Sequence, residues 1–126
     1  MDVNIPSVVV EVEVAFRRYE LALNENDLAA LDDSFWQSAL TIRYGVGENL
    51  HGIEEIRAFR AARPTAGLRR SIERSVITTF GSDCATACTL FHRDAMIGKI
   101  GRQMQTWVRF PEGWRVVAAT VSVIAI

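Results

Sequence analysis

The chain has 126 residues, 49% of them hydrophobic, a formal net charge of -1, and thirteen arginines against a single lysine. That length supports one domain with one core and leaves no room for two, so residues 1–126 are expected to fold as a single unit. Near-neutral charge with scattered arginines argues against a nucleic-acid partner, and no stretch approaches the roughly 18 uninterrupted apolar residues of a membrane span.

Met1 to Val14 carries Asp2, Glu11 and Glu13 where a signal peptide would have a basic flank and an unbroken apolar run, so the expected location is the cytoplasm. From Val9 the apolar positions Val9, Val12, Phe16, Tyr19 and Leu23 recur at three- and four-residue spacing, while Glu11, Glu13, Arg17, Arg18 and Glu20 fall elsewhere. The spacing predicts an amphipathic helix with Tyr19 on its buried face. Asn24-Glu-Asn-Asp27 breaks that helix and supplies an N-cap for a short second one through Leu28 and Leu31 toward Phe35 and Trp36.

Thr41-Ile-Arg-Tyr-Gly45 reads as an apolar strand in which Arg43 points opposite to Ile42 and Tyr44. An inward guanidinium is tolerated only when a carboxylate, phosphate or carbonyl set satisfies it. Two readings follow: Arg43 holds an anion, or it bridges internally to an Asp or Glu. Gly52 begins a third helix with Glu54 and Glu55 in its first turn and Arg57, Arg60 and Arg63 along it, and Pro64 stops it.

After Pro64 the texture changes. Ser71–Phe80, Asp83–His92, Lys99–Phe110 and Trp114–Ile124 are strand-like, separated by Gly81-Ser82, a loop containing Gly98 and Pro111-Glu-Gly113. The order is helices first, then a meander of long antiparallel strands, an α+β arrangement. If the Pro-Glu-Gly turn makes Phe110 face Trp114, then Thr106 faces Ala118 and Met104 faces Thr120 on one sheet surface, with Trp107, Val117, Val121 and Val123 on the other. The last strand is mostly apolar on both faces, with Thr120 and Ser122 the exceptions, which predicts coverage by the chain's own helices on one side and a second copy on the other: a homodimer through the sheet. Cys84 and Cys88, four residues apart on a strand, stand roughly 13 Å from each other, too far to bridge, and are expected as small core thiols.

Tyr19-Glu20, Phe35-Trp36, Ile42-Arg-Tyr-Gly45, Gly52 with Ile56-Arg-Ala-Phe-Arg60, Arg63-Pro64, Gly101-Arg-Gln-Met-Gln-Thr-Trp107 and Gly113-Trp-Arg-Val-Val-Ala-Ala119 together resemble the nuclear-transport-factor-2-like (SnoaL-like) superfamily. Within it they look most like the group that includes the oxalurate-catabolism protein and the 1,3-dicarboxyurea amidohydrolase. The resemblance implies a cone-shaped α+β barrel, helices packed in a strongly curved antiparallel sheet, with a pocket inside the cone. It also implies that Tyr19 and Arg43 carry the chemistry: Arg43 clamping a carboxylate, and Tyr19 donating a proton to the nitrogen released as carbon dioxide leaves. No nucleophile, metal or cofactor is required by that scheme.

Trp36, Phe59, Leu90, Met104 and Thr120 are expected to line the cavity; Arg60 and Arg63 either help to hold an anion at its mouth or pair with Glu as exposed helix arginines. Family members usually carry an acid where this chain has Leu90 and a histidine where it has Thr120, so the resemblance implies a wall that is less polar and less able to transfer protons. Natural divergence and deliberate remaking would both leave such a wall. Three functions remain in view: an enzyme acting on a small carboxylated amide or urea, a non-catalytic binder of a small, partly apolar molecule, and a structural partner of an amidase.

Overall fold

The computed structural model describes residues 1–126. Helix α1 (Pro6–Glu25) begins on Pro6, whose fixed φ suits a first helical turn, and ends where Asn26 adopts the left-handed conformation at φ 53°. Val12, Phe16, Tyr19 and Leu23 are buried along it, as the spacing predicts, whereas Val8 is buried in place of the expected Val9, which is half-buried. Glu20 is a departure: expected off the buried face, it is only 8% exposed. Helix α2 (Leu28–Asp33) is capped by Asp27, whose Oδ1 accepts from the Ala30 N–H at 3.1 Å. Helix α3 (Ile53–Ala62) carries Glu54 and Glu55 in its first turn, and Arg63 is already extended ahead of Pro64.

Six strands form one sheet: β1 (Ile42–Tyr44), β2 (Asn49–His51), β3 (Ser71–Phe80), β4 (Cys84–His92), β5 (Lys99–Phe110) and β6 (Gly113–Ala125). Their order is β2-β1-β6-β5-β4-β3. The meander β3 to β6 is antiparallel throughout, while β1 runs parallel to β6 and antiparallel to β2, a short strand that the sequence reading did not anticipate.

The β5–β6 hairpin is tighter than expected. Phe110 pairs with Gly113 and Arg109 with Trp114, so Phe110 does not face Trp114. Farther in, Trp107 pairs with Val116 and Thr106 with Ala118, leaving Val117 as an extra residue. That bulge shifts the register by one and restores the anticipated pairs Thr106–Ala118 and Met104–Thr120. A second irregularity lies between Glu73 and Val76, where Arg74 has φ 54°. Bulges of this kind bend a strand and increase its twist, which is how the sheet curls around the helices.

The concave face is built from alternate residues: Ala85, Ala87, Thr89 and Phe91 on β4, and Gly101, Gln103, Gln105 and Trp107 on β5, all buried. Against it pack Val12 and Phe16 of α1, Leu31 and Phe35 of and just beyond α2, and Ile56 of α3. Trp107 is 1% exposed, and its indole N–H donates to Gln105 Oε1 at 3.1 Å, so the polar end of the largest core side chain is satisfied. Cys84 and Cys88 lie on the opposite, convex face as half-buried free thiols instead of core residues.

Candidate functional site

A pocket of about 250 Å³ opens on the concave side, between α1, α3, the β1–β2 turn and the chain entering β3. Tyr19 and Leu23 reach it from α1, Phe59 from α3, Gln103 from β5 and Val121 from β6. Four arginines converge on it: Arg43 from β1, Arg63 just after α3, Arg70 just before β3 and Arg93 just after β4. These come from segments up to 50 residues apart and meet only because the sheet curls.

Their partners divide them. The Arg70 guanidinium, 2% exposed, is bound by both carboxylate oxygens of Glu20 and donates to Gln103 Oε1 at 2.9 Å. Arg43 Nη1 donates to Glu48 Oε1 at 2.9 Å, so of the two readings of Arg43 the internal bridge is formed, while the side chain still lines the pocket. Arg63 and Arg93 are paired with no carboxylate. Arg63 Nε and Nη2 are buried without any acceptor, and Arg93 makes one hydrogen bond, from Nε to the Leu68 carbonyl at 3.3 Å. The Gln103 side-chain Nε2 is buried and unpartnered as well.

Burial, then the like charges of Arg60 and Arg43, lower the Arg63 pKa; burial, then Arg70, lowers that of Arg93. Both lie within the electrostatic reach of Tyr19. Guanidinium groups remain charged at neutral pH regardless, so the lowering expresses the cost of burying these cations beside one another. An aromatic platform fixes two of them: the Phe91 ring has the Arg70 guanidinium 4.6 Å and the Arg93 guanidinium 4.9 Å from its centroid. Phe91 in turn lies over Gly101, where an added Cβ would come within 2.2 Å of the ring.

The structure therefore gathers four of the residues expected at the site, Tyr19, Arg43, Phe59 and Arg63, around one cavity. It places the other five elsewhere. Arg60, 3% exposed at its side chain, binds Asp32 Oδ1 at 2.8 Å with its guanidinium 4.4 Å from the Phe35 centroid, so it ties α3 to α2. Trp36 stacks on Phe110, with centroids 5.3 Å apart, near the β5–β6 turn. Leu90, Met104 and Thr120 alternate with the buried Phe91, Gln103 and Ala119 and so project from the convex face. The replacements expected at Leu90 and Thr120 thus bear on the outside of the sheet, not on the cavity wall.

Arg70, Arg93, Glu20, Glu48 and Gln103 were missed. Glu20 had a legible signal, since it follows Tyr19 directly and borders the apolar stripe. Gln103 shares the period-two pattern of Trp107, but its polarity hides it. A larger groove, about 710 Å³, runs between α1 and β3 past Leu21, Ile72 and Val76, but it lacks convergent, unpaired donors. No helix is long and apolar enough to cross a membrane.

A family profile described as AtzH-like matches residues 1–126. A solved protein of unknown function from Pectobacterium atrosepticum, of the DUF3225 family, is 60% identical, with 98% of this chain and 96% of that one covered and a TM-score of 0.95. A cystatin-like fold protein from Burkholderia xenovorans is 48% identical over 100% of this chain and 98% of its own, again with a TM-score of 0.95. A nuclear-transport-factor-2-like protein from Salmonella enterica, 22% identical over 95% and 93%, shares the fold at a TM-score of 0.76. None of the curated proteins matches the chain.

Proposed function

The chain belongs to the AtzH-like family along its whole length, and from that premise we propose that it binds a small dicarboxylate and acts as a decarboxylating amidohydrolase of a carboxylated urea or amide. This reading assigns it to the group of the oxalurate-catabolism protein and the 1,3-dicarboxyurea amidohydrolase. One observation carries the ligand class: the unsatisfied buried groups of the pocket, on Arg63 and Gln103, are all N–H donors, and the two arginines without carboxylates stand beside them. A buried donor without a partner costs about 1–3 kcal/mol, so these donors, which find no acceptor within the protein, favour an acceptor-rich anion.

The chemistry follows from the residue types. Arg63 and Arg93 hold one carboxylate. Arg43, its charge balanced by Glu48, offers remaining N–H donors to the urea carbonyl, where negative charge develops as the neighbouring bond breaks. The second carboxylate loses its charge in the reaction and is favoured against the apolar side chains of Leu23, Phe59 and Val121. The bond between nitrogen and that carboxyl carbon breaks, its electron pair stays on nitrogen, and carbon dioxide leaves. Tyr19 supplies the proton to nitrogen, allophanate forms, and water restores the phenol. A dianion enters and a monoanion remains, which weakens its hold on the two cations and favours release.

The reading is tested by following allophanate from freshly generated 1,3-dicarboxyurea against spontaneous decomposition. Release no faster than background overturns it. A separate check uses the stable dicarboxylate glutarate: Arg63→Met is expected to lower its affinity by more than about tenfold while raising the melting temperature of the empty protein, because a buried unpaired cation is removed. Calorimetric titration and thermal melts read the two effects independently.

The convex face supports a homodimer as part of the same proposal. Ile42, Tyr44, Met104 and Ala118 surround a shallow depression there, and Met104 is 57% exposed. Light scattering at micromolar concentration should give a dimer for the native chain and a monomer for Met104→Glu, since a charge buried without a partner is costly. A native monomer would remove the dimer.

A further inference from the structure

Glu48 is the one acid whose side chain lines the pocket, and it sits on Arg43 in a way that depends on a glycine three residues earlier. A Cβ built at Gly45 would lie 1.7 Å from Glu48 Oε1, 2.4 Å from its carboxyl carbon and 3.1 Å from Arg43 Nη1. The turn Gly45-Val-Gly-Glu48 thus leaves a side-chain-sized space, and the Glu48 carboxylate fills it. Gly45 has no left-handed φ that would require glycine for backbone reasons, so the close approach is what an alanine there would disturb. Gly47, in the same turn, has nothing within 4 Å of where its Cβ would be.

The consequence is a charge count. With Glu20 on Arg70 and Glu48 on Arg43, the cavity presents two uncompensated guanidinium groups, those of Arg63 and Arg93. Without Glu48 it would present three. We infer that Glu48, held on Arg43 by the absence of a side chain at Gly45, is a specificity-determining residue that sets the pocket's charge and so selects dicarboxylates over tricarboxylates. It acts through Arg43 and is a positioning residue for the reaction. The inference rests on the dicarboxylate reading of the site.

Specificity of this kind is a difference between two affinities, and an internal carboxylate supplies its repulsive half. A third ligand carboxylate would exceed the charge of the two free cations and be repelled by Glu48. The Glu48 side chain is 23% exposed, so the contact is partly screened and the expected effect is a shift in preference, not an absolute barrier.

The test is calorimetric titration of the full chain with glutarate and with the tricarboxylate tricarballylate. The native protein and Gly47→Ala should favour glutarate. Glu48→Gln and Gly45→Ala, which remove the pairing by different means, should each shift the ratio of affinities toward tricarballylate by about tenfold or more. A merely structural role would weaken both ligands together and leave the ratio unchanged. An unchanged ratio in both variants, with glutarate still bound by the native protein, overturns the role of Glu48 and leaves the dicarboxylate pocket standing. Absence of glutarate binding to the native protein overturns the pocket reading and this inference with it.

Discussion

Turnover of 1,3-dicarboxyurea by Tyr19→Phe is expected to fall by about 10²–10⁴-fold in kcat, the range typical of losing a positioned general acid. Tyr19 is 5% exposed, its ring tilted against Phe35 at 6.2 Å, and phenylalanine keeps that packing. Its hydroxyl has no hydrogen bond within the protein, so removing it strands no partner and the fold should melt as before. Glutarate affinity should also hold, because Arg63, Arg93 and Gln103 supply the anion contacts. A fall in kcat with binding and stability unchanged would isolate proton transfer as the lost step. Turnover equal to native would remove Tyr19 from the chemistry. A native protein that binds glutarate without accelerating allophanate release would instead be a binding protein.

The second large effect is on stability. Glu20→Ala is expected to cost about 3–5 kcal/mol and to lower the melting temperature by about 10–20 °C, because it leaves the Arg70 guanidinium buried and uncompensated. That cation is 2% exposed and has Glu20 as its only carboxylate. Pairing the change with Arg70→Leu should recover much of the loss, since removing both charges is far less harmful than removing one. Urea unfolding of the two single variants and the double variant, read as a mutant cycle, measures the coupling. A single variant as stable as the native chain would mean that water reaches Arg70 and the pair is not buried in solution.

Much of this architecture was visible in the chain itself. The Val12, Phe16, Tyr19, Leu23 spacing places one face of α1 against the sheet, and turn residues such as Gly81 and Pro111 bound the long strands to within a residue or two. β2 was not visible, because three residues, Asn49–His51, are too few to show a period and pair only through β1. The cavity side of the meander was read the wrong way round for a different reason. Both faces of β5 and β6 are rich in apolar residues, and the inner one carries Gln103 and Gln105 while the outer one carries Met104. Hydrophobicity therefore does not distinguish the two faces, and the inward placement of Met104 and Thr120 rested on the resemblance and the assumed register, although their pairing was anticipated correctly. The arginine cluster lay beyond any local pattern, since Arg70 and Arg93 flank strands and meet Arg43 and Arg63 only across the curl.

Phe91 and Gly101 carry a consequence for how this site can change over time. The ring occupies the volume that any side chain at position 101 would need, and Arg70 and Arg93 rest on that ring. Enlarging position 101 alone forces the ring, and two cations with it, out of place; shrinking position 91 alone leaves a void beneath them. The two positions are therefore expected to vary more readily as a pair than singly, so single-step mutation is costly beneath the pocket's arginines while the rim, at Val46 and Glu48, is less constrained. Descendants of this chain would be expected to acquire new ligands from the rim inward.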